Sequence, residues 1–337
     1  MSSSCKLIEE ELISRKIEYS LIVLPIHMMS NILYRIQKGL EHLNMIEEFI
    51  NSKIPQKISP DSIFIFSCGE GFEISNIDIW FKPYIRKGKY IAIQHGMFGL
   101  QTINNKSYIK IIINKMSRFI LNYSLVGKGF GGTFFDNYIV YSEKYENYLT
   151  SKKGWKKDNI IISGALLKGG KKVSSGTKQI TYSTCLLLLQ DLVITNYVTK
   201  KYFMEYFQVI VDQLCVTYNS VIIKYHPKMN PSDYRIKNND RIIYSKGNLM
   251  DDIQRSEVAF SFFSTAMIDA NIADVPVIGI IIPGINIEKY NFLKKSINYD
   301  QLTKEIKRMP NYDDCIISED EIDLTDNIET SINKMLL

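Results

Sequence analysis

Long hydrophobic runs are missing from this chain. No apolar stretch approaches the roughly 18–20 residues that a membrane-spanning helix requires. The start, Met1-Ser2-Ser3-Ser4-Cys5-Lys6, lacks the apolar core of a secretory signal. The expectation is a cytoplasmic protein. Cysteines are few and scattered: Cys5, Cys68, Cys185, Cys215 and Cys315 form no Cys-x-x-Cys pair. That spacing speaks against zinc and fits reduced thiols. No Asp-x-Asp is evident either, and pairs such as Asp251-Asp252 and Asp313-Asp314 fall in helix or tail contexts. No metal and no cofactor are expected. Charge of one sign is not in large excess, since 41 Lys and Arg against 36 Asp and Glu leave a net +5. This suits an anionic ligand or an anionic membrane surface as well as a plain soluble protein. The basic residues lack the interleaved aromatics of an RNA-binding module, so no nucleic-acid partner is expected.

What is present is alternation. Hydrophobic residues make up 45% and charged residues 23% of 337, a globular composition with room for two domains. Strand-like runs are read at residues 19–24, 62–66, 89–93, 137–141 and 159–163. Helix-like runs are read at 31–52, 108–121 and 143–152. The first helix is carried by the period of Ile32, Leu33, Ile36, Leu40, Leu43, Ile46 and Phe49. Residues 168–180, rich in Gly, Ser and Lys, read as a linker. A second series follows, with strands at 184–190, 221–224, 241–244, 258–262 and 275–282. Helices are read at 200–218, 249–255 and 265–273. Such alternation implies parallel sheets with helices on both faces. The expected division is a first domain over 1–167, a second over 181–317, and a helical tail over 318–337 returning to the first.

Chemistry concentrates where strands stop. Val221-Ile222-Ile223 leads into Lys224-Tyr225-His226-Pro227. Val258 to Phe262 leads into Phe263-Ser264-Thr265-Ala266-Met267-Ile268-Asp269. In an open α/β sheet ligands bind beyond the carboxyl ends of strands. Hydroxyls and free N–H groups at a helix start suit a phosphate, and a neighbouring imidazole can complete the anion site. The bland alternatives are a loop histidine packed beside Pro227, and Ser264-Thr265 as a simple helix cap. Gln190-Asp191, ending another strand, is a candidate for the same site.

These residues resemble the GT-B glycosyltransferase superfamily. The likeness is to the bacterial sialyltransferases and polysialyltransferases, with their His-Pro and Ser-Ser/Thr motifs, and to the CDP-glycerol glycerophosphotransferases. Asp274-Val275-Pro276-Val277-Ile278 extends the match. The resemblance implies two Rossmann-like domains facing a central cleft. It implies that His226, Ser264 and Thr265 grip the donor phosphate, with Lys224, Pro227 and the strand-end Gln190 as further donor contacts. It also implies an inverting transfer of sialic acid or a related ulosonate from a CMP-sugar, without metal. The acceptor would be a bacterial surface glycan or glycolipid, met as a peripheral protein on the cytoplasmic face of the inner membrane. A CDP-polyol or UDP-sugar transferase is the alternative, and a UDP-sugar 2-epimerase a more distant one. Asp269, one helical turn past Thr265, is read as structural.

For the base, Cys68-Gly69-Glu70-Gly71 resembles the acidic motif of the sialyltransferases, with Gly69 in place of an acid. Gln94-His95-Gly96 resembles the His-Gly of the glycerophosphotransferases. Glu70 and His95 are both candidates to deprotonate the acceptor, with Gly69, Gly71, Gln94, Gly96 and His27 as acceptor contacts. Gly127-Lys128-Gly129-Phe130-Gly131-Gly132 satisfies Gly-x-Gly-x-x-Gly, but a strand follows it rather than a helix. NAD is therefore rejected, and a mobile loop beside the cleft or a simple hairpin connection are the remaining readings. His42 is expected on the polar side of its helix, inert.

Overall fold

The computed structural model describes residues 3–20, 32–54, 61–67, 74–80, 88–94, 106–128, 130–133, 135–164, 181–193, 197–237, 239–285, 290–309, 312, 314–318 and 328–336. The chain divides into two units. One takes in Met1–His95, Leu100–Gly170 and Thr325–Leu337, and the other Lys171–Leu324 with Gly96–Gly99. The linker at 168–180 and residues 21–24 of the expected first strand lie outside the described residues.

In the first unit the elements are α1 (Ser3–Ser14), α2 (Ile32–Lys53), β1 (Ser62–Ser67), α3 (Ile77–Trp80), β2 (Gly88–Ile93), α4 (Lys106–Leu121), β3 (Asn137–Val140), α5 (Glu143–Lys153) and β4 (Ile160–Ile162). The sheet is parallel in the order β1-β2-β3-β4. Ile91, Ile93, Ile139 and Ile161 pack one face of it. Only the second half of the α2 stripe is inside. Leu43, Ile46 and Ile50 are buried, whereas Ile32, Leu33, Ile36 and Leu40 are exposed. His42 corrects its expectation: it lies on the buried face with Leu43 and Ile46, not on the polar one.

The glycine-rich loop is packed down, which favours the plain connection over a mobile loop. Phe130 is buried, with its ring edge-on to Tyr138 and Tyr145. Trp155 Nε1 donates to the Gly131 carbonyl at 2.9 Å. Gly131 has φ +70°, and a Cβ there would stand 2.1 Å from Leu149 Cδ2. Only glycine fits both demands.

The second unit contains β5 (Thr184–Leu188), α6 (Lys200–Thr217), β6 (Ser220–Lys224), β7 (Ile242–Tyr244), α7 (Leu249–Gln254), β8 (Val258–Ser261), α8 (Ala266–Ile272), β9 (Val277–Ile281), β10 (Ser296–Asn298) and α9 (Leu302–Lys307). The short pair β10 and α9 was not read from the sequence. The sheet is parallel throughout, in the order β10-β9-β8-β5-β6-β7. Its inner strands β5, β6, β8 and β9 are largely buried and so read as continuous apolar runs. Thr199 starts α6 by accepting the Tyr202 N–H at 3.4 Å. Phe203, Phe207, Ile210, Val211 and Leu214 then return every three or four residues to the sheet and are all buried. The last helix, α10 (Ile328–Leu336), belongs to the first unit, where it meets α1 and β4.

Candidate functional site

The sheet order of the second unit decides where a ligand can sit. Counting β5 as first, the chain builds β6 and β7 on one side. It then crosses back to build β8, β9 and β10 on the other. Neighbouring β5 and β8 therefore send their following loops to opposite sides, and this reversal opens a crevice at their carboxyl ends. The register brings three strand ends level. Leu188 pairs with Lys224 on one side and with Ser261 on the other. Gln190, His226 and Ser264 lie two or three residues beyond those ends.

The loops are tied to one another by short bonds. The Leu189 N–H donates to the Lys224 carbonyl at 2.9 Å. Ser261 Oγ donates to the Leu188 carbonyl at 2.7 Å. Gln190 Oε1 accepts the Phe263 N–H at 3.3 Å, so its amide holds the backbone that presents Ser264. The Phe263 ring is wedged edge-on between Tyr197 and Tyr290. Ser264 Oγ accepts the Ala266 N–H at 3.3 Å, and the Ser264 carbonyl accepts Met267 N–H at 3.1 Å. This is the local cap weighed as the alternative, and the hydroxyl hydrogen remains to be donated outward. Thr265 is exposed, and its side chain makes no cap bond.

His226 is half-buried. Its Nδ1 accepts the Lys228 N–H at 3.2 Å, which leaves the hydrogen of the neutral ring on Nε2. Burial lowers its proton affinity and outweighs the charge of Asp191, which acts in the other direction; Lys228 adds to the lowering. The imidazole is therefore neutral near pH 7. Pro227 is exposed, while Met229 is buried and anchors the loop, its N–H bonded to the His226 carbonyl at 2.8 Å.

Lys224 corrects its expectation. It was read as a phosphate-neutralising cation, but its ammonium is engaged elsewhere. Nζ lies 2.7 Å from Asp252 Oδ2, 2.8 Å from the Gly247 carbonyl and 3.1 Å from Ser245 Oγ. Asp252 is fully buried and also takes Arg255 Nη2 at 2.7 Å and the Ser245 hydroxyl. Burial alone would raise this carboxyl. Hydrogen bonds from Lys224, Ser245 and Arg255 together hold it below the ordinary carboxylate value. Asp269 is the opposite case. On α8 its carboxyl meets no hydrogen-bond donor among the described residues, and desolvation pushes it up to about 6.

On the first unit, Gln94 is 1% exposed. Its Oε1 accepts the Tyr141 N–H at 3.0 Å, while its own N–H donates to the Ile139 carbonyl at 2.9 Å. It clasps the ends of β2 and β3, which replaces the acceptor contact expected of it. His27, Gly69, Glu70, Gly71, His95 and Gly96 lie outside the described residues. Among the described residues no group of three His, Cys, Asp or Glu could hold a metal ion.

No protein family matches this sequence, and no curated protein does. Solved structures do match. The S. aureus MnaA–UDP co-structure is 12% identical, covering 99% of this chain and 86% of its own, with a TM-score of 0.56. The Methanocaldococcus jannaschii UDP-GlcNAc 2-epimerase in complex with UDP-GlcNAc and UDP is 13% identical. It covers 98% of this chain and 95% of its own, also at 0.56. The fold is GT-B. At these identities the likeness establishes architecture: two α/β units, each built on a parallel sheet.

Proposed function

We propose that this GT-B chain is an inverting, metal-independent glycosyltransferase. It takes a sialic acid or related ulosonate from a CMP-sugar, the nucleotide lying against the second unit beyond β5 and β8. The convergence of Gln190, His226 and Ser264 on one crevice carries the proposal. Support comes also from the two structural relatives, described respectively with UDP and with UDP-GlcNAc and UDP bound.

The chemistry follows from the donors. A neutral His226 with its hydrogen on Nε2 donates to one phosphate oxygen, and the Ser264 and Thr265 hydroxyls donate to others. As the acceptor oxygen bonds to the anomeric carbon, the bond from that carbon to the phosphate oxygen breaks. The departing oxygen keeps the electron pair. Donors already aimed at that oxygen stabilise the charge as it develops. With Lys224 spent on Asp252, the remaining groups are neutral hydrogen-bond donors, which suit the single phosphate of CMP better than a diphosphate. By the family resemblance, Glu70 or His95 removes the acceptor proton, and the acceptor is a hydroxyl of a bacterial surface glycan or glycolipid.

A thermal-shift series with CMP, UDP and GDP tests this, because a ligand that binds only the native state raises apparent stability. CMP should give the largest shift. A larger shift with UDP, together with conversion of UDP-GlcNAc to its 2-epimer without any acceptor, would favour a second reading. That reading is a nucleotide-sugar 2-epimerase, suggested by the whole-chain likeness to the M. jannaschii enzyme.

A further inference from the structure

Beyond β6 the chain turns sharply. The Met229 N–H donates to the His226 carbonyl at 2.8 Å, closing a four-residue turn with Pro227 in its second position. The proline ring presets the backbone there. The far end of the turn is held as well. Met229 is buried, and Asn230 Oδ1 accepts the Ser232 N–H at 3.3 Å to start the next turn. Lys228 stands third in this turn, and its N–H donates to His226 Nδ1 at 3.2 Å. The imidazole and the lysine thus belong to one braced corner, and Lys228 is exposed.

Two opposite charges act on His226. Asp191, buried just past the end of β5, favours the protonated imidazole, and Lys228 disfavours it. An anion entering beside the imidazole is therefore repelled from the Asp191 side and drawn to the Lys228 side. Two neighbouring cations are already engaged. Lys224 is bound to Asp252. Lys200 Nζ lies 3.6 Å from Asp233 and 5.5 Å from the centre of the Tyr234 ring. Lys228 has no carboxylate within ion-pair distance among the described residues.

Donor chemistry says what this cation is for. In the proposed reaction hydroxyls and a neutral imidazole meet the phosphate. An ulosonate carries a carboxylate on its anomeric carbon, the carbon that also bears the phosphate oxygen. Its two anionic groups branch from one atom and so arrive side by side. A neutral hexose brings phosphate alone. We propose that Lys228 receives the carboxylate of the donor sugar while His226 receives the phosphate, so that this turn selects acidic sugars over neutral ones. The assignment rests on the crevice being a CMP-sugar site.

Calorimetric titration of the full chain with CMP and with CMP-sialic acid, at about pH 8, tests it. A phosphate monoester has lost its second proton at that pH. CMP then carries both its negative charges on one group, and CMP-sialic acid carries one on each of two. Total charge is equal, so a difference in affinity reports where the charge lies. The parent should bind CMP-sialic acid more tightly than CMP. Lys228→Met alters an exposed side chain and should melt with the parent. It should keep its affinity for CMP and lose about tenfold for CMP-sialic acid. Lys228→Arg should restore most of that loss. A parent that binds neither compound would overturn the reading of the crevice and this assignment with it. A parent that binds CMP without preferring CMP-sialic acid, or a Lys228→Met that keeps the preference, would overturn the assignment alone. Equal loss for both compounds would also overturn it, by placing Lys228 on the phosphate.

Discussion

Asp269→Asn isolates the energetic consequence of a carboxylate placed where the fold desolvates it. Burial raises this group from 3.8 to about 6, a change that corresponds to about 3 kcal/mol between its two protonation states. The folded chain thus holds the proton more tightly than the unfolded chain. Below the unfolded value both states are protonated and Asp269 carries no penalty. As pH rises through the window from 3.8 to about 6, the unfolded state ionises first and stability is lost. Above that window the full penalty is present. Asparagine keeps the shape and never ionises. The variant should therefore be more stable than the parent at about pH 8, by up to about 3 kcal/mol, and should nearly match it at about pH 4. Paired thermal melts of parent and variant at both pH values read the difference. A gain of equal size at both, or a loss at the higher pH, would refute the desolvation reasoning. Nucleotide added at the higher pH should shrink the gap if a ligand hydroxyl donates to this carboxylate.

Two further predictions concern the neighbouring loops. His226→Ala should reduce turnover and nucleotide affinity severely while leaving the melting temperature within a few degrees, because the residue ends a strand in a half-buried loop. A large fall in melting temperature with turnover preserved would assign the ring to packing beside Pro227. Lys224→Met should act mainly on stability, costing about 3 kcal/mol, since it removes one partner of the buried Asp252. Chemical denaturation measures it, and a stable variant with only nucleotide affinity impaired would return Lys224 to the phosphate.

Much of the framework was legible because its determinants are local. The apolar runs at β5, β6 and β8 announced buried strands, and the polar residues after each announced where they stop. The period of Phe203, Phe207, Ile210 and Leu214 announced α6. From the order of such elements two Rossmann-like domains could be read, with Gln190, His226 and Ser264 at strand ends, and the resemblance of the His226-Pro227 and Ser264-Thr265 motifs supplied the GT-B class. The three-residue β10 was not readable. It exists only because Ser296 pairs with Gly279 on β9, and at Gly279 a Cβ would stand 2.4 Å from Ser296 Oγ.

What the sequence by itself determined is the alternation of strand and helix, the residue types at the strand ends, and the basic, acid-free character of α4. Tertiary structure decided which partner each of those residues meets. Lys224 reads as a free cation until the fold brings Asp252, 28 residues later, to 2.7 Å. His42 reads as polar surface, and Gln94 as an acceptor contact, until α2 and the β2–β3 edge close over them. The amphipathic pattern of α4 does not say which side faces inward. The hydrogen bonds of Asn114 and Arg118 to Val126 and Asp78 decide that. The reason is the same in each case. Periodicity and propensity are properties of neighbours along the chain, whereas burial and charge pairing belong to residues made adjacent only by folding.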